Sequence, residues 1–418
     1  MVKTARSTQT PKNWPVFPIV VGLIILLSAC LRLFNLDRPD QYIFDEDYFA
    51  FTSALMAGGQ VVAYQFWHQP FSQLSSSYLY RPPAVEWLHP PVAKLLMATS
   101  IKLAGNHPLG WRLAPALSGI ALVIITIWLS RKIFSSQPTV ALLAGFLVAT
   151  DPLLVTESRL AGANMILTLL TTMTVLLSYI FWQKIKNDQP QHKTWLYLIL
   201  LGWVAGLAIA TKWSAAFIWS GIWTWLGWRL YLSPIKNKLS WLGPKMVIFL
   251  IVTGLVYLLS YSQYFYLTKL DLAGWRHLQS AMVTYQTTTA EQHTFQSRPW
   301  QWPLGQVKIP YFLPSKQQVG QSAVWAGSRL IPLGWLALAI TLIQSVTSWR
   351  TKKKKSVEKG QSLLILTILG FWLPWFFIPR NLFLYHMLPI WPLLLILLSR
   401  RLVGLSQWLA STVKRPKR

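Results

Sequence analysis

The sequence predicts an all-α protein that crosses a lipid bilayer many times, and three observations carry the prediction. Hydrophobic residues fill 53% of the 418 positions against 12% charged, with 24 Trp and a mean hydropathy of +0.38. A soluble globular chain holds about a quarter charged residues, and a disordered one is far less apolar. The apolar residues also form continuous runs of about 20, the length a helix needs to span the hydrocarbon core. They lack the period-two alternation of a membrane β-barrel. Finally, 39 Lys and Arg against 12 Asp and Glu give +27. Taken alone that excess suggests a nucleic-acid binder; in so apolar a chain it records topology instead. The single cysteine, Cys30, excludes an internal disulfide and a cysteine-based metal cluster.

Ten runs are long enough to count, at about 14–34, 111–130, 138–150, 164–182, 194–210, 213–232, 245–266, 324–347, 362–378 and 383–399. With the N-terminus in the cytoplasm and sides alternating, the inner pieces are 1–13, 131–137, 183–193, 229–245, 348–361 and 399–418. These hold 24 of the 39 basic residues but only Asp188 and Glu358 among the twelve acids. The inside therefore carries +22 and the outside +5, the asymmetry of the positive-inside rule. Within loop 348–361, the run Lys352–Lys355 reads as a cytoplasmic anchor. Leu27-Ser28-Ala29-Cys30 has the form of a lipoprotein cleavage box. The hydrophobic run continues through Leu31, Leu33 and Phe34, so the first helix is read as uncleaved.

Two outer segments, about 35–110 and 267–323, are long enough to be functional, and amphipathic helices are expected in them. The chain reads as one membrane domain over 1–418, with no separate soluble domain. Half of all acids lie in 35–110: Asp37, Asp40, Asp45, Glu46, Asp47 and Glu86. In Phe44-Asp45-Glu46-Asp47-Tyr48, neighbouring carboxylates repel, which raises a carboxylate's pKa and suits a general base. Asp45 and Asp47 also offer oxygen ligands to a hard divalent cation. The plain alternative is a helix N-terminus, where acids are favoured by the dipole.

Glu86-Trp87-Leu88-His89-Pro90-Pro91-Val92-Ala93-Lys94 opens an amphipathic helix, with Pro in its first turn. Glu86 and His89 would then face an acceptor beside the acids, unless His89 is only a polar cap. Arg159, Lys212 and Arg380 sit at outer helix ends, where ionisable groups are functional candidates by default. Three cations on an acid-bearing face suit a phosphate, with Arg giving two-point contact. An ion pair of Arg159 with Glu157 or Asp151, or snorkelling by Lys212, competes. Trp300, in the stretch His293 to Pro303, either belongs to the interfacial aromatic belt or stacks on a sugar.

In this order, the segments resemble the protein O-mannosyltransferase family, phospholipid carrier-dependent enzymes with the C-type membrane glycosyltransferase fold. The resemblance rests on Phe44-Asp45-Glu46, on His89-Pro90-Pro91-x-x-Lys94-Leu95, and on the block from Asp151 to Asn164. Gly206 to Ser214 carries it further, as do Ser297 to Pro303 and Pro379-Arg380-x-x-Phe383-Leu-Tyr385-His386-Met-Leu-Pro389, which look like the bacterial branch. It implies transfer of one sugar, typically mannose, from a polyprenyl-phosphate carrier to Ser or Thr of an exported protein. On that likeness Asp45 is the base, with Glu46 beside it. Arg159, Lys212 and Arg380 hold the lipid phosphate, and Glu86, His89, Trp300 and His386 bind substrate. Inversion by direct attack needs a single base and no cofactor. The likeness also argues against a metal at Asp45 and Asp47. The expected partners are the lipid-linked sugar donor, the acceptor protein and the bilayer, with no nucleic acid. The expected site is the outer face of a bacterial cytoplasmic membrane.

Three departures stand out. Asn164 occupies a position that is usually Asp, Gly327-Ser328-Arg329 replaces a Gly-Asn-Pro, and an eleventh span is missing. Segment 267–323 is also too short for the extra outer β-trefoil of the eukaryotic enzymes. The alternatives are another sugar or a lipid or glycan acceptor on the same scaffold, an inactive relative, and a lipid-linked-sugar flippase. A transporter would place its charges near the midplane between repeats; here they lie in loops.

Overall fold

The computed structural model describes residues 16–65, 84–186, 191–235, 237–288, 293–314, 323–350 and 360–413. The basic segment 1–13, the run Lys352–Lys355 and the two inner acids, Asp188 and Glu358, lie outside the described residues. Helices dominate, and they follow the apolar runs. From the N-terminus they are α1 (Val16–Leu33), α2 (Glu46–Ala57), α3 (Val92–Ala104), α4 (Pro108–Ile133), α5 (Pro138–Thr150), α6 (Pro152–Ser158), α7 (Asn164–Lys186) and α8 (Gln191–Ile209). There follow α9 (Ala215–Tyr231), α10 (Lys238–Ser260), α11 (Ser262–Leu267), α12 (Leu272–Thr287), α13 (Ile331–Arg350), α14 (Gln361–Trp372) and α15 (Trp391–Val413).

Apart from the start of the run at 324, the expected runs coincide with helices, but the runs are not equal. Four helices, α1, α4, α7 and α10, are long and apolar enough to cross a membrane, as is the stretch Leu384–Thr412. The pair α5 and α6 would add one more span despite its 57° bend, while 194–209, 331–347 and 361–377 are shorter apolar pieces. This is a multi-pass membrane protein. As expected, α2, α3 and α12 are the helices of the two long connections.

Two local departures have clear causes. The run expected from 324 does not begin as helix. Val324–Ala326 forms strand β2, antiparallel to β1 (Ile309–Phe312), because its β-branched and aromatic residues suit a paired strand. Helix α13 starts only at Ile331. The second departure is the α5–α6 bend. Pro152 has no N–H and its ring crowds the Val148 carbonyl one turn back. The freed carbonyls of Val148 and Ala149 are taken by Arg32 of α1, at 3.0 and 2.8 Å. Asp151 restarts the chain as the N-cap of α6, accepting from the Leu154 N–H at 3.1 Å.

Packing between helices relies on small residues where backbones must meet, since lipid offers no hydrophobic drive for helix pairing. Gly221 of α9 lies against Gly370 of α14: a Cβ on Gly370 would come within 2.6 Å of the Gly221 nitrogen. The first turns of α15 are apolar on all sides, and Trp391 to Leu398 are buried throughout, as expected of a helix at the centre of a bundle.

The C-terminal ends of α1, α5 and α8 meet the N-terminal ends of α4 and α7, and the long connections gather there. Val92 N–H donates to the Ala210 carbonyl at 3.0 Å, and Ser297 N–H to the Leu382 carbonyl at 2.7 Å. Arg131, Lys132, Lys184, Lys186 and Arg229 terminate helices at their other ends.

Candidate active site

The site is built at this gathered end, and its first element is a strained turn. Phe44 takes a left-handed φ of +50°, a conformation that costs a bulky residue roughly 1–3 kcal/mol. The ring stacks on Tyr311 of β1 at 4.3 Å and meets Tyr385 edge-on at 6.1 Å. This turn delivers Asp45 to the N-cap of α2, where its side chain makes no capping bond. Asp45 is half-buried, and its charge acts on Lys212, Glu157, Tyr311 and Tyr385.

Glu46 points the other way. Its oxygens accept from Arg112 Nε at 2.8 Å and Nη2 at 2.7 Å, from Ala161 N–H at 2.8 Å and from Ile43 N–H at 3.1 Å. Arg112 also donates to the carbonyls of Leu36, Pro39 and Gln41. Both side chains are fully buried. Glu46 thus pins the loop 36–46 to α4 and to the segment after α6, so the structure gives it a bracing place rather than an open one beside Asp45.

Glu86 is brought onto α2 by its N–H, which donates to Thr52 Oγ1 at 2.7 Å. Its carboxylate holds Lys94 Nζ at 2.6 Å and His89 Nδ1 at 2.7 Å. Burial alone would raise the Glu86 pKa, but Lys94 and His89 outweigh it and hold the acid down to about 2. Burial pushes His89 down to about 4 despite Glu86. A neutral imidazole beside a carboxylate carries its proton on Nδ1. Its Nε2 is buried and takes no hydrogen bond among the described residues, and the ring feels both Lys212 and Arg380.

Lys212 lies in the turn between α8 and α9, largely buried. Its Nζ donates to Asn164 Oδ1 at 3.3 Å and sits 5.7 Å from the centre of the Tyr385 ring. Burial and Arg380 push its pKa down to about 8, against the pull of Asp45, Glu157 and Glu86. Arg380 donates to Gln286 Oε1 of α12, and Gln286 donates to the Leu88 carbonyl at 3.3 Å. His386 uses Nδ1 on the Phe383 backbone at 3.1 Å, and its ring packs 4.8 Å from both Tyr385 and Trp375. Asp45, Glu86, His89, Lys212, Arg380 and His386 are therefore brought together from four separate parts of the chain.

Arg159 and Trp300 are not part of this group. Arg159 donates to four carbonyls at the end of α1: Leu31, Arg32, Phe34 and Asn35, at 2.9–3.2 Å. It makes no ion pair with Asp151 or Glu157, because those acids have other partners. Asp151 accepts from Ser328 and Trp391, and Glu157 from Tyr311 and Asn164. The cause is geometric: a helix end leaves carbonyls unpaired, and five-donor Arg is the side chain best able to collect them. Trp300 is 58% exposed, with its ring 6.2 Å from Phe376, and lies outside the cluster.

Sequence reasoning missed Arg112, Tyr311 and Gln286, and left Glu157 only as a partner for Arg159. Arg112 was detectable as a charge inside an apolar helix. Tyr311 and Glu157 lie 154 positions apart, and no local pattern links them. Among the described residues no three His, Cys, Asp or Glu side chains converge as a metal-ligand set.

Comparison with known proteins bears on the family and the fold. The family model described as dolichyl-phosphate-mannose-protein mannosyltransferase matches residues 88–259, and that of the C-terminal four-span region of protein O-mannosyltransferase matches 271–403. The polyprenol-phosphate-mannose–protein mannosyltransferase of Mycolicibacterium smegmatis is 23% identical over 91% of this chain and 80% of its own. The Saccharomyces cerevisiae Pmt1–Pmt2 complex bound to the sugar donor superposes with a TM-score of 0.71 at 13% identity, covering 94% of this chain and 86% of that one. ArnT of Cupriavidus metallidurans bound to undecaprenyl phosphate gives a TM-score of 0.55 at 14% identity over 95% of this chain and 63% of its own. The likeness to both structures is one of fold, the C-type membrane glycosyltransferase fold. The chain belongs to the protein O-mannosyltransferase family, in its bacterial branch, and is a membrane glycosyltransferase.

Proposed function

We propose that the chain moves one mannose from a polyprenyl-phosphate carrier to a Ser or Thr hydroxyl of an exported protein, at the outer face of a bacterial cytoplasmic membrane. The observation that carries this reading is the meeting of two half-buried groups, the Asp45 carboxylate and the Arg380 guanidinium, with the buried cation Lys212 in one cluster. The names of the bacterial relatives support the donor and the acceptor class. In this reading the acceptor oxygen attacks C1 of the sugar while the bond from C1 to the phosphate oxygen breaks. The hydroxyl proton passes to the Asp45 carboxylate, and the electron pair stays with the phosphate. Lys212 and Arg380 stabilise the charge that grows on that leaving group. One displacement inverts the anomeric centre and needs one base; on the family likeness the reaction is read as metal-free.

Glu46 and Arg159 then serve as braces for the loop that carries Asp45. His89, its Nε2 a hydrogen-bond acceptor, and His386 stand beside the two cations, with Glu86 setting the His89 tautomer. The test is transfer of labelled mannose from polyprenyl-phosphate-mannose to a Ser/Thr-rich exported peptide by membranes containing the protein. Asp45→Asn should lower the rate by about 10²–10⁴, the usual worth of a general base, with the donor KM little changed. Unchanged labelling in that variant would remove Asp45 as base. Loss of labelling with EDTA, restored by a divalent cation, would overturn the metal-free reading.

A further inference from the structure

Four buried cations sit at this end of the fold: Arg32 is taken up by the carbonyls of Val148 and Ala149, and the other three are held in two different ways. Arg112 and Lys94 each touch a carboxylate directly, Glu46 at 2.7 Å and Glu86 at 2.6 Å. Lys212 has as its hydrogen-bond acceptor a neutral amide, Asn164 Oδ1 at 3.3 Å. The other end of that amide faces an acid: Asn164 Nδ2 donates to Glu157 Oε2 at 3.3 Å. A carboxylate only accepts and an ammonium only donates, so the two partners fix which way the amide points. Glu157 is itself fixed by the Tyr311 hydroxyl on its other oxygen.

We propose that Asn164 is a positioning residue for the donor phosphate, anchoring Lys212 through a neutral amide so that no carboxylate in contact neutralises the ammonium. The proposal rests on the reading of Lys212 as a phosphate ligand. An acid at 164 would hold Lys212 in place equally well, but as an ion pair whose charge is already matched. It would also place two carboxylates against each other at Glu157. With Asn, the Glu157 charge acts on Lys212 only from beyond the amide. The groups around Lys212 are Arg380, Asp45, Glu157 and Glu86, with His89 and His386 on the same side. Burial and Arg380 lower the pKa of this lysine, against the pull of Asp45, Glu157 and Glu86.

The test measures binding of a short-chain polyprenyl phosphate, without sugar, to the purified full-length protein between pH 6.5 and 9.5. The wild type should lose affinity as pH rises through about 8. Asn164→Asp should bind about tenfold more weakly at pH 7, with its alkaline midpoint moved up by about one unit or more, because an adjacent anion favours the charged lysine. Asn164→Ala should also weaken binding but without that upward move. Glu157→Gln should move the midpoint down. The double variant Glu157→Gln/Asn164→Asp should keep the upward move, since no second acid remains to share a proton. If Asn164→Asp, alone and in the double variant, binds like wild type with an unmoved midpoint, the proposal fails. Identical losses in Asn164→Asp and Asn164→Ala would also overturn it, leaving a purely structural contact. If instead the wild type and Lys212→Met bind equally at pH 7, the reading of Lys212 as a phosphate ligand falls.

Discussion

Glu46 and Arg112 meet through two parallel hydrogen bonds, Nε to Oε1 at 2.8 Å and Nη2 to Oε2 at 2.7 Å, with both side chains out of solvent. Asp45, one position away, opens onto the cationic cluster instead. Adjacent acids are thus given opposite tasks by the turn at Phe44, one locking the loop and the other facing the reacting space. Removing one partner of a buried pair strands the other charge, at a cost of about 3–5 kcal/mol. Glu46→Gln and Arg112→Ala should each lower the thermal midpoint of the purified protein sharply. The double variant Glu46→Gln/Arg112→Met should recover part of that loss. Additive losses would contradict the coupling.

On the proposed reading, a Lys212 pKa pushed down to about 8 predicts an alkaline limit on activity. Below that pH the side chain would be an ammonium able to hold phosphate; above it the charge is lost. The donor KM should therefore rise as pH passes through about 8, with kcat less affected. Lys212→Arg keeps a cation to much higher pH, so its profile should stay flat to about pH 10. An unchanged alkaline limb in that variant would assign the limit to another group.

Arg159 is predicted to act on stability and not on the donor. Truncation removes four bonds to the end of α1, three of them exposed and one part-buried, at about 0.5–1.5 kcal/mol. Arg159→Gln should lower the thermal midpoint while the donor KM stays within about twofold of wild type. A large rise in donor KM with an unchanged midpoint would restore the phosphate role.

Tyr311 joins Glu157 to the turn before Asp45 through its hydroxyl and its ring. Tyr311→Phe removes the hydroxyl and leaves Glu157 under-bonded, costing about 1–3 kcal/mol, but keeps the stack on Phe44. Tyr311→Ala removes both. The expected order of kcat is wild type, then Phe, then Ala, with the donor KM nearly constant. Equal kcat for Phe and Ala would mean that the stack does not steer Asp45.

How far the chain could be read in advance differs by element. Apolar length located the helices, because burial in lipid leaves the backbone no partner but itself. It misjudged 324–330, where Val324–Ala326 instead pairs as a strand and the helix waits until Ile331. The rule that intramembrane charges are functional picked out Lys212 and Arg380. It applied equally to Arg32, Arg112 and Arg159, which are occupied with helix-end carbonyls and with Glu46. Charge type alone does not say whether a cation already has partners.

The sequence by itself determined that this protein lies in a membrane, how its basic residues are distributed among the connections, and that Asp45, Glu86, His89, Lys212, Arg380 and His386 were candidates for one site. Those properties follow from residue chemistry and local order along the chain. Only the tertiary structure decided that Glu46 braces while Asp45 faces the cations, that Arg159 serves α1, and that Tyr311, Glu157, Asn164 and Lys212 form one connected line. Those roles depend on which groups meet across separations of up to 154 residues, and a buried polar group takes its function from the partner that satisfies it.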